Sequence, residues 1–373
     1  MKKTQPTHRN LHPKLHNAQQ HFKQFWHWIT HHKKRIAIVV GSLFAAWLLF
    51  VISVAVWYQH KHRNDPFQPG VSFSVKYAKE LGVDWQANYK ALLDDLGFKY
   101  VRLMSYWDDT EPAQGQYNFN DLDWQLNEAA KRGVKVSLTI GKRQPRWPEC
   151  HQPRWVEQLS PANQDVELIN FVKAVVSRYK DNPAIESYQL ENEIANRLFA
   201  PHCRTFDRAL LQEEVDSVKQ IDSKHPLVIN VSNQSGIPWR GPIGDKVGFS
   251  IYNIAFARFG PFGYYWSFGW VPSQWHAFRA GLIELLYHKE TFIHELQAEP
   301  WGPAATKDLP LEDQNRSMSP ERIKQQVAYG EDIGMHRMYL WGGEWWYWRK
   351  TQFNDPTLWD TVHEITKPTR AQR

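Results

Sequence analysis

Acidic residues are missing from the first 64 positions of this chain, which has 373 residues and 39 Asp and Glu in all. The same stretch contains ten Lys and Arg. Taking those ten from the 45 Lys and Arg of the whole chain leaves 35 basic residues against 39 acidic ones, a net charge of −4. The sequence pI of about 9.1 therefore comes from the amino-terminal segment. It does not indicate a nucleic-acid-binding domain, and we expect no nucleic-acid partner.

Glycine motifs that bind phosphate are also missing. Neither GxGxxG nor GxxxxGK[ST] occurs in the sequence, which argues against a nucleotide-binding open sheet. Histidines after residue 64 are scattered, as at His276 and His294, and form none of the His-x-His pairs that a metal-dependent hydrolase on a barrel would need. We therefore expect neither a metal nor a cofactor.

Cysteine is scarce, because Cys150 and Cys203 are the only two in the chain. Outside the cytoplasm a pair of thiols usually forms a disulfide, whereas inside it thiols stay reduced. The compartment and the fold together decide whether these two form a bond.

Residues 36–57 are the longest apolar run, with 22 residues and no charged side chain. As an α-helix this run would span about 30 Å of hydrocarbon. Eight Lys and Arg precede it and only two follow closely, so the positive-inside rule predicts a cytoplasmic amino terminus. A cleaved signal peptide is the alternative, since Ser53-Val54-Ala55 offers small residues. We favour an uncleaved anchor, because signal peptides have shorter apolar and preceding segments.

This topology predicts a single-pass membrane protein with four segments. The lipid bilayer would contact residues 36–57, and everything after the anchor would lie outside the cytoplasm. The segments are a basic, His-rich cytoplasmic tail (1–35), a transmembrane anchor (36–58), a linker (59–69) and one large domain (70–373).

The tail has histidines at a spacing that could suit a metal. His8, His12 and His16 would share one face of a helix. Pro13 is expected to interrupt that helix, and no cysteine or carboxylate assists. We therefore favour a disordered cationic tail close to anionic lipid.

Tryptophan is abundant, with 19 residues in the chain and fifteen of them after residue 64. A large core would use some of them. Many, however, lie in polar stretches rich in proline and glycine, where flat aromatic faces suit stacking on sugar rings. We interpret the loop tryptophans, as a group, as a carbohydrate-binding surface, with packing as the alternative.

Strand-like and helix-like segments alternate through the large domain. This alternation favours parallel strands with right-handed crossovers, and eight units in about 300 residues fit a closed (β/α)8 TIM barrel. Long, aromatic loops are expected after the strands, on the face where barrel enzymes place their chemistry. The eight expected strands are Val71–Val75, Tyr100–Met104, Val134–Ile140, Ala184–Leu190, Leu227–Val231, Val247–Tyr252, Thr291–Glu295 and Arg337–Trp341.

Two acidic motifs lie at the ends of the fourth and seventh expected strands. The first is Gln189–Glu193 and the second is His294–Gly302. Because the carboxyl ends of barrel strands meet on one face, carboxylates from both motifs are expected there together. Cleavage of a glycosidic bond needs two such groups, one as general acid/base and one as nucleophile.

With this strand order the chain resembles the clan A glycoside hydrolases, retaining (β/α)8 enzymes that include cellulases and β-galactosidases. In that clan an Asn-Glu pair ends the fourth strand and a Glu ends the seventh, which here are Asn192-Glu193 and Glu295. The segment Trp107–Asp123, with Glu111-Pro112 inside it, is similar to the second loop of β-galactosidase-type members.

The resemblance implies two catalytic carboxyl groups and a set of residues around them. Glu193 would be the general acid/base and Glu295 the nucleophile, with the carboxyl groups about 5–5.5 Å apart. The other implied site residues come from several strand ends: Arg102 and Tyr252 as donors to Glu295, Asn192 on the 2-hydroxyl group, Trp341 beneath the sugar, and Gln297 and Trp301 at the substrate. Under the same resemblance, Cys150 and Cys203 fall in neighbouring loops on the catalytic face, where a disulfide is expected.

Two further glutamates compete with the assigned pair. Glu191 lies two residues before Glu193, so along a strand both side chains would point to the same side. On that side Glu191 would pair with Arg102. Glu299, four residues past Glu295, is a rival that would bind substrate or an arginine.

The sequence thus predicts a membrane-anchored retaining β-glycosidase acting on an oligosaccharide or polysaccharide outside the cytoplasm. A non-catalytic carbohydrate-binding barrel, with its carboxylates in structural pairs, is the main alternative. A metal-dependent hydrolase is a weaker one. The sugar and the linkage stay open.

Overall fold

The computed structural model describes residues 12–194, 196, 203–204, 207–232, 236 and 241–367, with side chains from residue 31 onward. His8 and the side chains of His12 and His16 lie outside this description. Two compact units divide the chain, with the boundary between Ser53 and Val54.

The first element is α1, a helix of 51 residues from His12 to His62. Residues 12–35 belong to the segment that we expected to be a disordered tail, and they are helical. The expected interruption at Pro13 concerns a helix that would include residues 8–11, which lie outside the described residues. Proline is tolerated in a first helical turn, where its missing N–H has no intrahelical partner. Residues His31–His62 have a mean hydropathy of 2.5 over their most apolar window and are long enough to cross a membrane.

The last two turns of α1 belong to the second unit and pack on the barrel. The Tyr58 hydroxyl is 2.7 Å from Oγ1 of Thr291, and Nε2 of Gln59 donates to the carbonyl of Asp332 at 2.6 Å. Nε2 of His62 lies 2.9 Å from the Glu284 carboxylate. Thr291 is near the start of its strand, so this contact is on the face opposite to the strand carboxyl ends. The first four residues of the expected linker, 59–62, are helical.

Eight parallel strands close a barrel, which confirms the predicted fold. Around the barrel they are ordered β1, β2, β3, β4, β5, β6, β9 and β10, and β10 pairs with β1. The strands are β1 (Gln68–Phe73), β2 (Tyr100–Met104), β3 (Lys135–Ile140), β4 (Ile185–Leu190), β5 (Leu227–Val231), β6 (Lys246–Ile251), β9 (Glu290–Gln297) and β10 (Arg337–Trp341). Each coincides with one expected strand to within a few residues.

The strand at Val71–Val75 is displaced toward the amino terminus. It ends at Phe73, because the Ser74 hydroxyl caps the next helix by accepting from the backbone N–H of Tyr77 at 3.2 Å. A serine cap satisfies a donor that the first helical turn leaves free.

Helices surround the barrel and join its strands. Ser160 before Pro161 and Ser319 before Pro320 cap two of them through their hydroxyl groups, as their sequence predicts. The helices are α2 (Val75–Glu80), α3 (Trp85–Asp94), α4 (Trp107–Thr110), α5 (Asn120–Lys131), α6 (Arg154–Glu157), α7 (Pro161–Tyr179), α8 (Arg208–Ile221), α9 (Ser273–Tyr287), α10 (Leu311–Ser317), α11 (Pro320–Ile333), α12 (Gly343–Gln352) and α13 (Thr357–Thr366).

An antiparallel hairpin replaces what the sequence predicted as a plain loop after β6. Its strands are β7 (Ile254–Phe259) and β8 (Phe262–Ser267), joined by Gly260 and Pro261. The hairpin rises on the same face as the strand carboxyl ends, because it follows directly from β6.

Candidate active site

Arg102 lies at the centre of a buried polar cluster at the strand carboxyl ends. We call this cluster, formed by Arg102, Asn192 and Glu295, the floor of the site. Arg102 lies on β2 and is fully buried. Its Nη1 donates to Oε2 of Glu295 at 2.5 Å, and Nη2 donates to Oδ1 of Asn192 at 2.8 Å. Nε donates to the side chain of Gln189 at 2.7 Å. One planar guanidinium therefore fixes side chains from β4 and β9 relative to β2.

Glu295 accepts a hydrogen bond on each carboxylate oxygen. Arg102 donates to one, and the Tyr252 hydroxyl donates to the other at 2.5 Å. Burial and the negative charge of Glu295 raise the pKa of Tyr252 well above its usual value, so Tyr252 keeps its proton as a donor. Donors on both oxygens stabilise negative charge on a buried carboxylate.

Glu193 lies in the turn after β4 and has a different environment. Nδ2 of Asn196 donates to its Oε2 at 3.1 Å. Burial, and then the negative charge of Glu295, raise the pKa of Glu193 to about 7. A substantial fraction of Glu193 is therefore protonated at neutral pH. Two carboxyl groups with such different surroundings are suited to different tasks.

Asn192 is oriented by its amide oxygen. Oδ1 accepts from Arg102, from Nε2 of Gln189 at 3.2 Å and from Nδ2 of Asn230 at 3.2 Å. These donors fix the amide so that its NH2 group points away from the floor network. That nitrogen, Nδ2, is buried and has no hydrogen bond of ordinary geometry with the described residues.

A cavity of about 170 Å³ opens above this floor. It joins four of the expected residues, Tyr252, Glu295, Trp301 and Trp341. Trp341 ends β10, and the Trp301 ring stands edge-on to Tyr252 with their centroids 5.3 Å apart. The remaining lining is Arg146, Trp147, Glu149, Glu299 and Pro300. A second cavity of about 520 Å³ shares several of these residues, so the cleft extends beyond the carboxylates.

Comparisons with known proteins find similarity to glycoside hydrolases. Residues 83–167 match the family described as Glyco_hydro_42, β-galactosidase. The chain is 29% identical over 192 residues to a probable mannan endo-1,4-β-mannosidase A-1 from Aspergillus terreus, covering 43% of this chain and 47% of the relative. It is 24% identical over 164 residues to the β-galactosidase BgaA from Clostridium cellulovorans, covering 37% and 24%. The chain is related to the glycoside hydrolases of clan A.

Solved structures share the fold of this barrel. A β-galactosidase from Rahnella sp. R3 superposes with a TM-score of 0.52 at 13% identity, covering 81% of this chain and 55% of that one. A GH5_18 protein from Bifidobacterium longum subsp. infantis gives 0.51 at 14% identity, covering 74% and 69%. At such identities the likeness shows the fold alone. The chain spans about half the length of the curated mannosidases that it matches.

The two rival glutamates have partners other than the assigned pair. Glu191 does not pair with Arg102 but accepts the backbone N–H groups of Lys142 and Arg143 at 2.9 and 2.8 Å. Its left-handed backbone, with φ of 56°, directs the side chain toward the loop after β3. The expected pairing with Arg102 is therefore wrong, because two backbone donors of that loop bind the Glu191 carboxylate.

Glu299 pairs with an arginine, one of the two options that the sequence left open. Both Arg146 nitrogens donate to it, one at 3.0 Å, and Nε1 of Trp341 donates to Oε1 at 2.8 Å. The Arg146 guanidinium also stacks on the Trp341 ring, 4.1 Å from its centroid. These partners make Glu299 part of the cleft wall.

Gln297 does not present its amide to the cavity. It is fully buried, and its oxygen accepts from the backbone N–H groups of Asn253 and Ile254, both at 3.0 Å. Its nitrogen donates to the carbonyl of Ile254 at 2.6 Å. Gln297 therefore holds the segment that follows Tyr252, and the geometry supports a positioning function rather than substrate contact.

The expected disulfide is present. Cys150 and Cys203 are bonded with their Cα atoms 5.5 Å apart, which joins the loops after β3 and β4. The sequence analysis did not assign a role in the site to three neighbouring lining residues, Arg146, Trp147 and Glu149. Their position in a long loop after β3 was the only available signal, since loops at this barrel face carry function.

Proposed function

We propose that this chain is a membrane-anchored retaining β-glycosidase. The observation that carries the proposal is the contrast between two buried carboxyl groups: Glu295 bound by Arg102 and Tyr252, and Glu193 with its pKa raised to about 7. A nucleophile has to be ionised and a general acid has to be protonated, and these surroundings favour that division.

In the first step, Glu295 attacks the anomeric carbon while Glu193 gives its proton to the leaving glycosidic oxygen. The C–O bond to the leaving group breaks, and a covalent glycosyl ester on Glu295 forms. In the second step, Glu193 takes a proton from water, and the resulting hydroxide displaces Glu295 from the sugar. Both carboxyl groups return to their starting protonation states.

The coupling between the two glutamates supports this sequence of events. The negative charge of Glu295 contributes to the raised pKa of Glu193. Formation of the ester removes that charge, so the pKa of Glu193 falls in the intermediate. The group then acts as a base at the same pH at which it previously acted as an acid.

The location is part of the proposal. The apolar helix, the excess of Lys and Arg before it and the Cys150–Cys203 disulfide together support an anchor with the barrel outside the cytoplasm. The names of the relatives make β-mannosides and β-galactosides the first substrates to test.

The test uses the full chain in detergent with aryl β-glycosides. Glu193→Gln and Glu295→Gln should each lower kcat by at least about 10²–10⁴-fold. Glu290→Gln is the matched control, because Glu290 begins the same strand and is exposed. A carbohydrate-binding barrel would show no turnover in the parent protein and would keep its sugar affinity in all three variants.

Trapping with a 2-fluoro glycoside identifies the nucleophile directly. The fluorine slows breakdown of the glycosyl ester, so peptide mapping should find the label on Glu295. A label on Glu299 would overturn the assignment of the nucleophile.

A further inference from the structure

The segment after β3, residues 142–150, is a tightly held loop at the edge of the cleft. We refer to it as the β3 loop. A bridge between Arg143 and Cys150 closes it, and the N–H of Gln144 donates to the carbonyl of Glu149 at 3.0 Å. The N–H of Asn192 donates to the carbonyl of Arg143 at 2.7 Å, which ties the loop to the catalytic turn after β4.

Glu149 has an unfavourable backbone conformation within this loop. Its φ of 63° is left-handed, which costs a residue other than glycine about 1–2 kcal/mol. The neighbouring Cys150 is fixed by its disulfide to Cys203. Such backbone strain at a cleft is a reason to look for a function in the side chain.

The Glu149 side chain faces the catalytic glutamates. It lines the 170 Å³ cavity together with Glu295. Burial raises the pKa of Glu149 well above its usual value, and the negative charges of Glu193 and Glu295 add to this effect. Arg143, whose nearest nitrogen is 3.8 Å from Oε2 of Glu149, opposes it, as does the Asn192 amide.

Four buried side-chain atoms in this neighbourhood have no hydrogen bond of ordinary geometry with the described residues: Nε of Arg143, Nε of Arg146, Oε2 of Glu149 and Nδ2 of Asn192. The last two belong to side chains that lie close together, since the Asn192 amide acts to lower the pKa of Glu149. A buried polar atom left in this condition costs about 1–3 kcal/mol. Asn192 Nδ2 can only donate, and a carboxyl oxygen can accept in either protonation state. A hydroxyl group, which accepts one hydrogen bond and donates another, satisfies both atoms at once.

We propose that Glu149 and Asn192 together bind one hydroxyl group of the sugar, so that Glu149 is a specificity-determining residue of this site. The hydroxyl oxygen accepts from Asn192, and its proton is donated to Glu149. The proposal rests on the proposed function for the identity of the ligand as a sugar. The site would prefer an uncharged sugar to a uronic acid, since a uronate would lie among Glu149, Glu193 and Glu295.

The test combines variants of Glu149 with monodeoxy substrates. Glu149→Met keeps the length of the side chain and removes its oxygens. It should lower kcat/KM for the parent aryl β-glycoside about 10- to 100-fold, as loss of a hydrogen bond in a buried site does. On the one deoxy substrate that lacks the bound hydroxyl group, the same substitution should have almost no effect. Glu149→Gln keeps one acceptor oxygen, so its kcat/KM for the parent glycoside should lie between the values for the unmodified protein and for Glu149→Met.

Glu157→Met is the control, because Glu157 is an exposed glutamate at the end of α6, in the same connection between β3 and β4 as Glu149. It should leave kcat/KM for every substrate unchanged. An equal loss from Glu149→Met on all deoxy substrates would assign Glu149 a purely structural function and overturn the proposal, as would no loss on any. A melting curve for each variant shows whether it folds, and Glu149→Gln replaces Glu149→Met if the latter does not.

Binding measurements separate this inference from the proposed reaction. Calorimetry with methyl β-glycosides and their deoxy forms gives the same comparison without turnover. If the parent protein hydrolyses no β-glycoside, the proposed function fails, yet Glu149→Met should still weaken binding of only those glycosides that have the contacted hydroxyl group. Equal binding by the parent and by Glu149→Met would overturn the inference even in an active enzyme.

Discussion

The floor and the rim of the cleft are built on different physical principles. The floor, formed by Arg102, Asn192 and Glu295, comes from strand ends, is buried, and has its charged oxygens paired. The rim, formed by the β3 loop and the β7–β8 hairpin, includes exposed aromatic side chains such as Trp147 and Trp266. Strands of a closed barrel fix atoms within a fraction of an ångström, whereas loops can vary without affecting the barrel. Under the proposed function, bond cleavage belongs to the floor and substrate choice to the rim.

The hairpin shows the rim arrangement most clearly. Its pairing register places Tyr264 and Trp266 opposite alanines on one face, and both rings are more than a third exposed. On the other face, the Tyr265 hydroxyl donates to the carbonyl of Asp313 at 3.3 Å. The N–H of Phe256 donates to the carbonyl of Trp301 at 3.2 Å, which connects the hairpin to the cleft wall. One face thus holds the hairpin in place and the other presents flat rings to solvent.

Loss of the floor cation should have the largest effect. Arg102→Met leaves Glu295 buried without its cation and should lower the free energy of unfolding by about 3–5 kcal/mol. It should also lower kcat/KM by about 10²–10³-fold, as loss of a preorganised donor does. Thermal melting and steady-state kinetics measure the two effects.

Arg132→Met is the matched control, because Arg132 pairs with Asp94 and Glu128 at the outer surface. Its expected cost is at most about 1 kcal/mol, with unchanged kinetics. Equal effects of the two variants would contradict the special function of the floor.

Loss of the disulfide should lower the stability of the protein but leave the chemistry of the floor largely intact. The bond closes 53 residues of chain, and the chain-entropy account gives about 4 kcal/mol for a loop of this length. A variant with Cys150→Ser and Cys203→Ser should melt at a lower temperature. It should lose the hydroxyl-dependent selectivity assigned to Glu149 while keeping turnover of the corresponding deoxy substrate. A variant that loses both kinds of turnover alike would show that rim and floor are not separable.

The pH dependence of kcat should report on the protonation of Glu193. Glu193 is needed in its protonated form, and its pKa is about 7, so kcat should fall tenfold per pH unit above that value. The fall should be steep for alkyl glycosides and shallow for aryl glycosides whose leaving groups need little protonation. Rate profiles from pH 5 to 9 measure this, and a flat profile for alkyl glycosides would remove Glu193 as the acid.

The smallest effect is expected at the hairpin. Trp266→Ala should raise KM for a polymeric substrate such as β-mannan by a few-fold, the size of one aromatic contact of about 0.5–1.5 kcal/mol. Turnover of an aryl monoglycoside should not change, because the small substrate does not reach that ring. Leu286→Ala, at an exposed apolar position on α9, should change the kinetics with neither substrate. Equal loss with both substrates would assign Trp266 to the floor.

Sequence reasoning predicted the floor better than the rim, because the resemblance to clan A implies contacts between residues at the ends of barrel strands. Arg102 and Glu295 were expected together on that ground, and strand ends of a closed barrel do meet on one face. The same resemblance implied that Gln297 contacts the substrate, which the structure does not support. Backbone donors of Asn253 and Ile254 engage its amide, and no strand pattern contains that information.

In the rim, the direction of a side chain depends on single backbone angles and on distant cross-links. Glu149 faces the cavity with a left-handed φ next to a disulfide, and neither feature follows from residue types in a loop. The hairpin is different, because two aromatic, β-prone runs flank Gly260-Pro261 and form a signal that was available.

The cross-link between Cys150 and Cys203 also has a consequence for how the protein matures. The bond forms only where oxidants are present, so a newly made chain held in a reducing cytosol would have an unfinished rim. We expect such a chain to bind sugars with little discrimination and to be cut readily by proteases near the free cysteines. Under the proposed location outside the cytoplasm, export would be the step that completes the rim, and the choice of substrate would be set only after the chain has left the cytosol.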